Sequence, residues 1–153
     1  MQAYEALAVG ALAGLLSASL MTLVEAPFWR KLGISGAVEW QVNLVMVSWL
    51  LHEGYDPRKR LQEALAMHVL HGGIFGALLA GILSLLVPLS PYEVIAAAEL
   101  LSVALWSIVP LLLRRPFEKS AGAGFSQTGL EISLISHLVY GLSLGAILAA
   151  LMG

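Results

Sequence analysis

The sequence predicts an all-α integral membrane protein, a four-helix bundle made of two tandem helical hairpins in a parallel 2+2 repeat. An additional interfacial, amphiphilic helix is expected between spans 1 and 2. Three observations predict this class. The 153 residues are 59% hydrophobic and 12% charged, a balance that leaves too few polar faces for a soluble domain. Four apolar stretches, at about 6–28, 64–87, 94–113 and 132–152, each approach the roughly 20 residues a helix needs to cross a hydrocarbon core. Finally, the stretch from His68 to Ala80 returns 69 residues later as His137 to Ala149, with six of thirteen positions identical. Internal symmetry of this kind marks a duplicated hairpin. The chain therefore reads as one membrane domain, 1–153. Its first hairpin is 1–66 plus 67–90, with the insert at 34–52, and its second is 91–153.

Span 1 opens without the basic region of a signal peptide and reads as a retained helix. It is expected to end near Pro27, whose ring and missing amide disfavour further helix. Segment 34–52 is apolar all round its helical wheel, broken by Glu39, Gln41, Asn43 and Ser48. Its uninterrupted apolar runs are too short to span, so it reads as interfacial or partly re-entrant, anchored by Trp40 and Trp49. Asp56-Pro57 suits the start of a long second helix reaching about Val87, with Asp as N-cap and Pro in the first turn. Ser90-Pro91-Tyr92-Glu93 is a capping box that opens span 3. Pro110 should kink that helix near its end. The stretch 120–129, rich in Gly and Ser, reads as a polar loop before span 4.

The basic residues set the orientation. Arg30, Lys31, Arg58, Lys59, Arg60, Arg114, Arg115 and Lys119 all fall in the two connections that follow spans 1 and 3. The positive-inside bias then places both termini outside and the basic connections in the cytoplasm of a multi-pass cell-membrane protein. Tyr4 and Tyr92 would mark the outer interface; Trp29, Trp40, Trp49 and Tyr55 would mark the inner one.

Small residues recur every four positions: Gly10, Gly14 and Ala18; Gly72, Gly76 and Ala80; Gly141, Gly145 and Ala149. In lipid such faces let backbones approach closely. The two that lie on parallel helices are expected to bring helices 2 and 4 together. His68 and His137 occupy equivalent places one turn before these glycines. Each lies about 6–9 Å inside the apolar boundary at 1.5 Å per residue. An ionisable group there serves either a structural hydrogen bond or a function.

His68, His71 and His137 are the candidate ligands for a divalent metal or for haem b, although no cofactor is the first expectation. Tyr140 replaces the second histidine in the second repeat, and the Glu-x-x-His pattern of di-metal bundles is missing. A porphyrin between His68 and His137 would need a gap that glycine-mediated contact denies. Glu99 and Glu25 are the candidate proton-handling groups, Glu25 with an interfacial ion pair as its plainer reading. The net charge of −2 and the lack of basic runs give no sign of nucleic acid, and without cysteine there is no thiol chemistry. Nucleophile–base sets and phosphate loops are also missing, so an enzyme is the less favoured class.

Gly14 followed by Met21-Thr22 and Pro27, the histidines before Gly72 and Gly76, and His137-Leu-Val-Tyr140-Gly141 before Gly145 resemble a group of small prokaryotic four-helix membrane proteins akin to the YagU-like inner-membrane proteins. The likeness covers about residues 8–150. It implies a fold and a membrane address, with no activity or catalytic residues attached. The expected function is a structural or accessory membrane subunit. It would pack on itself or on other subunits through its glycine faces and segment 34–52. A redox or metal-binding protein, or a transporter of protons or small solutes, are the alternatives.

Overall fold

The computed structural model describes residues 2–56, 59–86, 88–121 and 124–152, and of residues 34 and 35 the backbone alone. Every regular element among them is helical. They are α1 (Ala3–Leu32), a 3-10 turn (Gly33–Gly36), α2 (Val38–Leu50), α3 (Leu61–Ser84), α4 (Pro91–Ile108), a π-helical turn (Val109–Leu113), α5 (Arg114–Ala121) and α6 (Gln127–Met152). Four helices are long and apolar enough to cross a membrane: Ala3–Leu32, Leu61–Ser84, Pro91–Ala121 with the π turn inside it, and Gln127–Met152. Their outward faces confirm the solvent. α1 turns Leu12, Leu16, Leu20 and Leu23 outward while burying Ser17 and Glu25. That is the reverse of a helix in water, and it marks a membrane protein in contact with lipid.

Local chemistry sets most of the helix ends. Ser90 accepts from the Glu93 amide at 3.4 Å, and Glu93 takes the Ser90 amide at 2.7 Å, closing the expected capping box. The Ser126 hydroxyl accepts from the Gly129 amide at 2.9 Å and opens α6. Other ends differ from expectation. α1 runs through Pro27 to Leu32 and stops at Gly33, whose φ of 64° only glycine adopts freely. Pro27 lies on an exposed face, so the carbonyl its ring frees is not trapped in the core. α3 starts at Leu61, not at Asp56-Pro57; Pro57 lies outside the described residues. The chain before Leu61 is turned by Arg60, which bonds Glu53 at 2.7 Å and Glu63 at 2.9 Å. α3 ends at Ser84, and Val87 is again outside the described residues. The polar loop expected at 120–129 is shorter, because α5 runs to Ala121 and α6 begins at Gln127.

Pro110 produces a π turn. With no amide to give, it shifts the hydrogen-bond ladder by one residue through Val109–Leu113.

Segment 34–52 does form a helix between the first two spans, but protein rather than lipid or water surrounds it. Nearly every residue from 36 to 48 of this stretch is buried, Trp40 included, and Trp40 packs on Trp29 with ring centroids 4.9 Å apart. The end of the segment, from Trp49 to His52, is exposed, and Trp49 donates to Ser120 at 3.0 Å. A helix that is apolar all round is a core element when neighbours are present to cover it. α3 is the main one.

The glycine faces pair differently from the expectation that helices 2 and 4 meet. A Cβ on Gly14 would fall onto the Gly72 carbonyl, and one on Gly76 onto that of Gly10, so α1 and α3 touch backbone to backbone. A Cβ on Gly141 would lie 2.7 Å from Glu99 Oε2, and one on Gly145 2.7 Å from Ile95 Cα, so α6 packs on α4. Each stripe is thus occupied by an antiparallel helix, and α1 offers α3 a matching stripe of small residues. α1 also packs on α6, giving the order α3–α1–α6–α4, while α3 and α4 scarcely touch. The opening this leaves lies toward the end that carries the basic residues, under α2.

Candidate functional site: a polar cavity beneath the inserted helix

Between α3, α4 and α6, roofed by α2, lies a cavity of about 250 Å³. Most of its wall is apolar, with Met21, Phe75, Leu105 and Val109 among the contributors. Buried polar side chains break that wall: Glu39 and Asn43 from α2, His68 from α3, and His137 and Tyr140 from α6. His71 lines it too, half-buried.

The polar groups are ordered by helical spacing. On α6, Ser133 and His137 stand one turn apart, and the His137 Nδ1 lies 3.0 Å from the Ser133 carbonyl. A carbonyl can only accept, so Nδ1 carries a proton in this contact. The Ser133 hydroxyl donates to Glu39 Oε1, which lies 3.7 Å from His137 Nδ1. On α2, Asn43 donates to the Glu39 carbonyl at 2.7 Å, which leaves its own Oδ1 without a partner. His68 stands beside the Ala18 backbone, and its Nε2 is without a partner as well. From α4, Ser102 donates to the His137 carbonyl. Tyr140 donates across from α6 to the Gly72 carbonyl of α3 at 2.8 Å.

Of the residues singled out in the sequence, His68, His71 and His137 do come to one place. Glu25 lies just behind, fully buried and within electrostatic reach of Glu39. Trp40 and Ser136 stand beside it, with neither carboxyl oxygen at hydrogen-bonding geometry. The interfacial ion pair expected of Glu25 is therefore not formed; α2 covers it instead. Glu99 stands apart, against Gly141 in the α4–α6 contact, and does not line the cavity. Gly10, Gly14, Gly76 and Gly145 belong to helix packing, while Gly72 both packs and lines the cavity.

Two cofactor arrangements were open from the sequence. Among the described residues no three His, Asp or Glu side chains are grouped as a metal site. Tyr140 reaches from α6 to α3 one turn above the histidines, in the slot that a porphyrin held by both would need.

Glu39, Asn43, Ser133 and Tyr140 were not singled out from the sequence. Their signal was present: Glu39 and Asn43 sit at i and i+4, and Ser133, Ser136, His137 and Tyr140 at i, i+3, i+4 and i+7 on one face.

No protein-family model, curated protein or solved structure matches the chain. The likeness to the YagU-like group rests on its short motifs alone.

Proposed function

We propose that this protein is a small-solute transporter of the cell membrane whose substrate site is the cavity roofed by α2. In this reading both termini lie outside and the basic connections lie in the cytoplasm, so the cavity sits in the cytoplasmic half of the bilayer. The observation that carries it is the gathering of Glu39, His68 and His137, with Glu25 behind, around an opening inside an otherwise apolar bundle. A charged side chain at membrane depth costs about 3 kcal/mol on the insertion scale, and such groups are retained at solute and proton pathways.

The accessory-subunit reading depended on the glycine faces and on segment 34–52. Both are occupied within the molecule by α1, α4 and α3. That leaves the cavity as the feature without a structural use.

Labelling tests the transporter reading. The chain has no cysteine, so Met46→Cys places a single thiol on the cavity wall. In sealed vesicles of either orientation, a membrane-impermeant maleimide should reach it from the basic face, and more slowly from the other face as the site changes access. A thiol that stays unreacted from both faces would defeat the reading.

A further inference from the structure

We infer that the occupant of this cavity is a small, apolar-bodied organic amine, bound as its ammonium ion and admitted from the lipid between α3 and α4. The inference rests on the transporter reading above and specifies its substrate class. Three features of the site converge on it.

The first is the sense of the unpaired groups. Among the described residues, the buried polar atoms of the wall that lack a partner are Asn43 Oδ1 and His68 Nε2. The amide oxygen can only accept, and the imidazole Nε2 accepts when the proton sits on Nδ1. The Tyr140 hydroxyl, which reaches from α6 to α3, is already engaged by Gly72. An occupant that satisfies Asn43 and His68 must bring its own N–H or O–H groups, since leaving a buried acceptor unmade is unfavourable.

The second is charge. Glu39 lines the cavity, and no Lys or Arg is among the described residues that do. The facing titratable groups are His68 and His71 from α3 and His137 from α6, with Glu25 behind from α1. A carboxylate occupant would meet Glu39 and two acceptors with no fixed cation opposite. An ammonium meets a carboxyl and those two acceptors, and charge-assisted contacts of this kind are the strong ones.

The third is the way in. Phe75 of α3 and Leu105 and Ile108 of α4 line the cavity, and these two helices scarcely touch each other. The gap between them is walled by apolar side chains, which suits a molecule that partitions into lipid. The apolar wall then receives its body while Glu39, Asn43 and His68 receive its head. At about 250 Å³ the space suits a compact molecule, being larger than a 150 Å³ engineered cavity that holds benzene.

The test uses the full chain with Met46→Cys in lipid nanodiscs, and reads the rate of maleimide labelling. The probes are phenethylamine, phenethyl alcohol and phenylacetate, which share a body and differ in head group. Phenethylamine should slow labelling by about tenfold at saturation, and the other two should leave it nearly unchanged. Adding Glu39→Gln should weaken the amine's protection by about tenfold, the loss of one charge-assisted contact. Asn43→Leu removes an acceptor and keeps the carboxyl, so it should weaken protection too; it carries the test if Glu39→Gln does not fold. Phenylacetate protecting as well as the amine, no protection by the amine, or protection indifferent to both substitutions would each overturn the substrate class. A Met46→Cys thiol that reacts normally in those cases leaves the transporter reading standing, whereas an inert thiol defeats both.

Discussion

Tyr140 illustrates what a single side chain does in this interior. Its hydroxyl ties α6 to α3 through the Gly72 carbonyl, at a level where the two backbones make little other contact. Removing the hydroxyl in Tyr140→Phe should lower unfolding free energy by about 0.6 kcal/mol, the average for a hydrogen bond between membrane helices. Steric-trap or denaturant unfolding in mixed micelles would measure it, and no loss would show that the bond carries nothing. A second single-residue effect lies outside the spans. Arg60 holds the exposed Glu53 carboxyl below its ordinary value, chiefly through their direct hydrogen bonds. A lowered carboxylate adds stability above its unfolded value, and that contribution disappears as pH falls through the lowered one. The turn before α3 should therefore loosen on acidification below the usual glutamate range, and Glu53→Gln should reduce that dependence to the part that the Arg60–Glu63 pair carries. Amide exchange at Leu61 and Gln62 across pH checks it. The effect should also shrink in high salt, because the pair is exposed.

At the scale of helices, glycine contact organises the bundle. Because Gly14 and Gly72 meet with their backbones touching, Gly14→Leu should separate α1 from α3 and cost about 1–3 kcal/mol, the range for overpacking a filled interface. Gly33→Ala, at a position with open space around it, tests backbone conformation alone and should leave that packing intact. Unfolding of both variants in the same detergent compares them. The stripes themselves were legible in the sequence, since Gly10, Gly14, Gly72, Gly76, Gly141 and Gly145 stand at four-residue intervals. Their partners were not. A stripe states that something comes close without stating which helix, and the parallel repeat suggested α3 with α6 where antiparallel neighbours won. α2 was misread for a related reason: an apolar wheel looks the same facing lipid as facing protein, and only α3 packed against it decides. Likewise Pro27 signalled a helix end that the exposed face of α1 did not require, whereas the capping box at Ser90 is local chemistry and formed as the sequence predicts.

For the molecule as a whole, the distribution of polarity is the organising fact. Leucines cover the outside, and Glu25, Glu39, His68 and His137 are drawn within, toward the basic end. The gathering of His68 with His137 was readable from the repeat. The acid that joins them was not, because Glu39 reaches the site only once α2 folds back under the bundle, and its Ser133 contact spans 94 residues of sequence. That same fold separates Glu99 from the histidines, although composition alone treats the two carboxyls alike. The central claim is that His137 and Glu39 form one ordered, buried pair within the membrane domain. Nitrogen NMR of histidine-labelled protein in lipid tests it most directly. The account predicts a His137 ring carrying a proton on Nδ1, with that signal perturbed by Glu39→Gln and by Ser133→Ala. A His137 ring with its proton on Nε2, unmoved by either substitution, would contradict it.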